Sequence, residues 1–367
     1  MPLSRIARRT APTSRTARRS AGRTAPAGAP LAAHAALKMR RTASGTRRAP
    51  QRGFTLIEML IAITIGLGIL AGLVGVLASN AGNSRSNDRT AELMTNGRYA
   101  LDSMKRELRE AGFRGYTWAE PLAAGALGTI DNECLESTGQ AAGAFLGNIR
   151  QSVWGSNNTN PFSVSCIPAA NYAANTDVLV VRRLAATPTA AAALGANGLY
   201  FQTTYDRGQL FRGTAPPTFT GAAPLASFEF RTFVYFIRPW SVDVAESPQI
   251  PALVRLALVQ GGAGNPSMTA ELVASGIERM QVQYGRLTTT PDTQYLDTLT
   301  GASFTLDATL GTEWEEVNSV RIWLLARNST PEPGYTNTTT YAMGDQAFTP
   351  NDGFRRQLFT TVVQLRN

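Results

Sequence analysis

The chain has 367 residues, 43% of them hydrophobic, enough for one large domain or two modest ones. Its net charge of +9 belongs to one end. Residues 1–53 hold 13 of the 35 Lys/Arg and no acid, so the rest sets 22 basic against 26 acidic side chains and stands at −4. That balance argues against a nucleic-acid-binding body, which would show a clustered basic face. The single histidine, His34, lies in the basic segment, which leaves the body no imidazole for a His-based triad or a zinc site.

Residues 1–53 are rich in Arg, Ala, Thr and Pro and lack apolar periodicity, so disorder is expected. Because an apolar run follows directly, the segment reads as a cytoplasmic basic flank. A nucleic-acid-binding arm and a transit peptide fit less well. Met39 opens a compact basic leader of its own and is a candidate true start.

Phe54–Leu77 is a 24-residue apolar run, long enough to span a bilayer core as a helix. Glu58 is its only charge. A carboxylate at that depth costs a few kcal/mol, which makes it a functional candidate. Gly66, Gly68, Gly72 and Gly75 interrupt the run, and Gly68/Gly72 form a small-xxx-small pair, a spacing ordinary membrane helices also show.

Beyond the run, Leu93, Gly97, Leu101, Met104, Leu108 and Ala111 make an apolar stripe. Asp102, Lys105, Arg106, Glu107, Arg109 and Glu110 read as its solvated face, and Gly112 as the C-cap. One helix over 54–111 is predicted, and its stripe needs a sheet to cover it.

The remainder reads as β-rich. Predicted strands are 177–183, a hairpin of 198–204 and 209–213, then 228–238, 254–260, 277–286, 317–326 and 354–365. Segments 113–170, 239–250, 286–312 and 328–352 read as loops decorating the surface. The fold class is α+β: a long helix packed on an antiparallel sheet. Cys134 and Cys166 both follow the apolar run. In an oxidising compartment they would pair, tethering a segment poor in regular structure; two unpaired buried thiols are the alternative.

Several weaker patterns carry little. Glu313, Glu315 and Glu316 read as solvated residues before a strand. Asp345, Asn351 and Asp352 lack EF-hand spacing for calcium. With no histidine after the basic segment, no unpaired nucleophilic thiol and no phosphate-binding loop, an enzyme, a cofactor and a metal are all disfavoured.

Arg52-Gly53-Phe54-Thr55-Leu56-Ile57-Glu58 resembles the processing site of type IV prepilins and of the pseudopilins of type II secretion. The resemblance implies that a prepilin peptidase cuts between Gly53 and Phe54 and that the new N-terminus of Phe54 is methylated. Glu58 then becomes the fifth residue of the mature chain. No Lys or Arg follows it until Arg85, so its expected partner is the amine of Phe54, its own or a neighbouring subunit's, and a purely structural role is hard to find for it.

Further patches are similar to the PilW family of minor pilins, relatives of the J-type minor pseudopilins. They are Arg109–Gly115, Asp177–Arg183, Ile277–Gly285 and Arg355–Asn367. This resemblance implies a cytoplasmic leader at 1–53, a helix at 54–112 that is transmembrane over 54–77, and a periplasmic head at 113–367. It also implies a low-copy subunit, anchored once in the inner membrane, that helps initiate a pilus at its tip. Implied partners are the prepilin peptidase, other minor pilins, the major pilin and the inner-membrane assembly platform, with no nucleic acid. A J-type minor pseudopilin is the alternative.

Overall fold

The computed structural model describes residues 53–117, 127–219, 223–287, 293–299 and 313–365; the expected leader, apart from Gly53, lies outside the described residues. The chain divides into two units, residues 1–66 and 67–367. In the first, the described part is Gly53, Phe54, Thr55 and the opening turns of one helix, α1 (Leu56–Arg109). Its apolar side chains are exposed throughout.

In the second unit α1 continues to Arg109, close to the predicted end at 111. The Ala111 N–H turns back to the Leu108 carbonyl, and Gly112 follows at φ +78°. That left-handed position favours glycine, and the Gly112 N–H donates to the Arg182 carbonyl at 3.0 Å.

Thirteen strands follow among the described residues. A seven-stranded antiparallel sheet contains β1 (Val153–Ser156), β2 (Val178–Leu184), β3 (Leu199–Thr203), β4 (Gly208–Arg212), β5 (Ala226–Arg238), β6 (Ala252–Val259) and β7 (Ser267–Ser275). The long β5 is its hub, pairing with β2, β3 and β6. A four-stranded antiparallel sheet contains β8 (Ile277–Leu287), β9 (Thr293–Leu296), β10 (Val317–Arg327) and β13 (Arg356–Gln364) in the order β13-β10-β8-β9. The hairpin β11 (Tyr341–Met343) and β12 (Gln346–Phe348) stands apart. The expected α+β architecture, a long helix with antiparallel sheets, is therefore the observed one.

Within the second unit, α1 buries Leu93, Gly97, Ala100, Ser103, Met104 and Leu108. Leu101 of the expected stripe is only half-buried. A Cβ on Gly97 would lie 2.2 Å from a Phe359 ring carbon, so the glycine lets helix and β13 approach closely. Glu107, expected on the solvated face, instead takes Arg183 Nε at 2.7 Å and Arg255 at 3.5 Å. Asn96 reaches Ser275. The helix therefore touches the seven-stranded sheet on one flank and β13 of the four-stranded sheet at its centre.

Two expectations are corrected. Segment 113–170 is not surface decoration: it buries Phe145, Leu146, Trp154, Phe162 and Ile167 and holds β1. Its few aromatic side chains fill the core although its backbone is irregular. The loops 286–312 and 328–352 contain β9 and the β11–β12 hairpin, strands of three or four residues, too short for an alternation signal. The same holds for β1, whereas β7 escaped because most of its side chains stay accessible.

Candidate functional site

Thr55 stands immediately before α1, as N-cap, and Glu58 is the third helical residue. The Thr55 N–H and hydroxyl both donate to Glu58 Oε2 at 3.0 Å, and the Glu58 N–H donates to Thr55 Oγ1 at 3.3 Å. This is a capping box, which satisfies two helix-end donors reciprocally. It corrects the expectation that Glu58 has no structural role. The signal was legible as Thr-x-x-Glu before an apolar run. Gly53 and Phe54 precede the helix, and the Phe54 side chain is 92% exposed.

The helix these residues begin is long and apolar enough to cross a membrane: its most apolar 18-residue window has a mean hydropathy of 2.6, with no residue buried. Leu56, Ile57, Met59, Leu60 and Ile61 all present at least half their surface. In water such a surface would be strongly unfavourable at about 25 cal/mol per Å², so the segment calls for a lipid or protein environment.

Cys134 and Cys166 are joined, with Cα atoms 4.8 Å apart, and both are buried. The bridge anchors the irregular segment that carries Phe145 and Phe162.

The weaker candidates resolve into structural pairs. Glu313 and Glu316 bind Arg286, and Glu315 binds Arg150 at 3.2 Å. Asp345 accepts the side-chain amides of Asn157 and Asn158 at 2.9 and 3.0 Å, while Asp352 pairs with Arg356. Asp345 and Asp352 therefore serve different networks. Among the described residues no three metal-binding side chains converge.

Asp177 emerges only in the structure. It stands immediately before β2, and its carboxylate accepts the Val282 N–H of β8 at 2.7 Å and the Asn158 N–H at 2.9 Å, tying the two sheets together. Burial pushes its carboxyl up to about 7, with Asp345 and Asp297 adding to the rise and the two amides opposing it. Nearby in β2, Arg182 is fully buried over the Phe145 ring and donates to the carbonyls of Gln151 and Phe145.

A prepilin-like start on an exposed apolar helix, followed by a sheet-rich body, defines a type IV pilin-like protein. Residues 48–74 match the prokaryotic N-terminal methylation motif, and residues 234–367 match the family described as type IV pilus-assembly protein W. These two matches cover less than half of the chain, at its start and over its C-terminal third, and they support a resemblance to the minor pilins of the PilW family. No curated protein matches it. Among solved structures it is similar to a type IV-like pilin from Thermus thermophilus, at 15% identity and a TM-score of 0.31, over 76% of this chain and 96% of that one. That likeness is too slight to carry the fold assignment, which rests on the helix and strand registers themselves.

Proposed function

We propose that this chain is a prepilin that the membrane peptidase cuts between Gly53 and Phe54, and that the mature form helps initiate a type IV pilus at the filament tip. One observation carries the reading: an unburied apolar helix start whose only charge, Glu58, lies five residues beyond Gly53. After cleavage and methylation, the Phe54 amine and Glu58 lie about one helical turn apart at the same membrane depth. Pairing of Glu58 with the amine of a neighbouring subunit sets the stagger at which a protomer joins a filament. Residues 54–77 cross the inner membrane, the leader stays cytoplasmic, and residues 113–367 form a periplasmic head in which Cys134 and Cys166 oxidise. The head is a binding module for other minor pilins and the major pilin, not an enzyme.

Mass spectrometry of the membrane form tests the cut. Phe54 should carry the methylated N-terminus, and Gly53→Arg should leave a longer precursor. An N-terminus elsewhere ends this reading. Deleting the gene should lower the number of surface pili while the major subunit is still processed. Intact piliation with blocked export of folded enzymes would instead favour a minor pseudopilin of type II secretion.

A further inference from the structure

Among the described residues, nothing pairs with the outer edge of the four-stranded sheet beside α1. In β13 the odd-numbered residues turn their backbone toward β10: the Leu365 N–H reaches Asn318, and the Asn328 N–H reaches Arg355. The even-numbered residues therefore turn theirs outward. The Leu358 carbonyl is taken by the Gln357 side chain. The N–H and C=O groups of Thr360, Val362 and Gln364 meet no partner among the described residues. No acidic side chain, proline or bulge blunts this edge.

Beside it runs α1, with Gly97 against Phe359 and Arg109 lining a depression with Val362–Leu365. At ~100° per residue, Arg98, Lys105 and Arg109 fall within about 40° of one another on this flank of the helix. The opposite flank carries Glu107 and Asn96, which are bound to the seven-stranded sheet. None of the three cations has an ion pair among the described residues. Asp102 stands at the margin of the flank, and it too forms none.

We infer that β13 accepts an added strand from another pilin-type subunit, one with carboxylates at alternate positions facing Lys105 and Arg109. Open donors and acceptors supply affinity, and the basic flank selects the side chains. The spacing fits. Lys105 and Arg109 are ~6 Å apart along the helix, and alternate residues of a strand are separated by ~6.7 Å. The identity of the partner as a pilin rests on the pilus reading; the edge and its charge preference do not.

The test uses the full chain in detergent and two fluorescent peptides, Thr-Val-Glu-Val-Glu-Val-Thr and its Lys-for-Glu counterpart, followed by anisotropy at low salt. The Glu peptide should bind about tenfold more tightly, as expected of two half-exposed charge pairs. Lys105→Glu with Arg109→Glu should reverse that preference. Val362→Pro removes one outward N–H and leaves the β10 ladder intact, so it should abolish binding of both peptides. Should that variant fold poorly, the charge reversal still decides, since both side chains lie on the surface. Equal binding of the two peptides, no binding of either, or a preference unmoved by the reversal overturns the inference. So does competition by anionic vesicles that Val362→Pro leaves unchanged, because the flank would then be a polyanion site. The assay reads neither cleavage nor piliation, so its failure leaves the pilus reading untouched, and failure of that reading leaves the edge result standing.

Discussion

Glu58 has two candidate roles, and Glu58→Gln separates them. As a cap, its carboxylate holds the Thr55 N–H and hydroxyl, and both partners lie beyond the proposed cut, so processing there would leave the box in place. Gln also serves at the third helical position of a capping box. It exchanges a charge-assisted bond for a neutral one, a loss of about 1 kcal/mol. Thr55→Ala removes the hydroxyl half of the box and costs about 1 kcal/mol as well. On capping alone the two variants should behave alike. The charge sets them apart. Neutralising a carboxylate in the apolar run relieves ~2–3 kcal/mol of insertion cost, so Glu58→Gln should insert and be cut normally. In a filament it would leave the neighbour's amine buried without a counterion, a loss of ~3–5 kcal/mol. Incorporation of Glu58→Gln should therefore fall at least tenfold, and that of Thr55→Ala hardly at all. The measurement is the ratio of subunit in sheared pili to subunit in membranes, by immunoblot. Equal incorporation of Glu58→Gln and the parent would refute the amine pairing. An equal loss in Thr55→Ala would assign the effect to the cap.

The Asp177 carboxyl is raised in the fold from 3.8 to about 7, so between those values the folded protein holds a proton that the unfolded chain has lost. The contribution of this one group to stability is greatest below pH ~4 and falls by up to ~1.4 kcal/mol per pH unit as pH rises toward 7. The urea midpoint should therefore be lower at pH 8 than at pH 5, and Asp177→Asn should flatten the difference; a midpoint higher at pH 8 contradicts the assignment. Cys134→Ser opens a loop closed at a sequence separation of 32, a loss of about 3–4 kcal/mol in the chain-entropy model, to be read as a lowered urea midpoint. If both thiols label freely in the native protein, the bridge is absent. Gly82→Ala meets nothing within 4 Å and removes a helix-weakening residue worth about 1 kcal/mol. Amide exchange around it should slow about fivefold, and unchanged exchange would mean that this part of α1 opens by another route.

The helix and most strands were legible because each is long enough to state its own period. α1 shows its stripe over 93–108, and β5, β8 and β10 each run to eleven residues or more. What escaped has a physical cause in each case. β11 and β12 are three residues each, and their pairing with one another is not written in either. Apart from the four-residue β1, segment 113–170 lacks periodicity because a disulfide and a few buried aromatic rings, rather than a ladder, hold it. The processing motif is legible directly, since its residues are contiguous. Its capping box lies in the same residues, but a carboxylate in an apolar run is conspicuous for its charge, and the threonine three residues before it is not. Asp177 could not be found from sequence, because its partners Asn158 and Val282 lie far from it along the chain.

The same separation explains why the basic flank of α1 looked ordinary. Lys105 and Arg109 alternate with acids along the helix, and that pattern alone describes a solvated face. Glu107 and Glu110 break the pattern once the fold is known, since Arg183 takes both. With Glu107 and Glu110 engaged on one flank, the helix presents on the other cations that form no ion pair among the described residues. Their meaning then comes from β13, a strand more than 240 residues downstream whose edge lies beside them. A short motif can announce how such a chain is cut and anchored. Recognition of a partner strand needs a helix flank and a sheet edge brought side by side, and only the folded head supplies that arrangement.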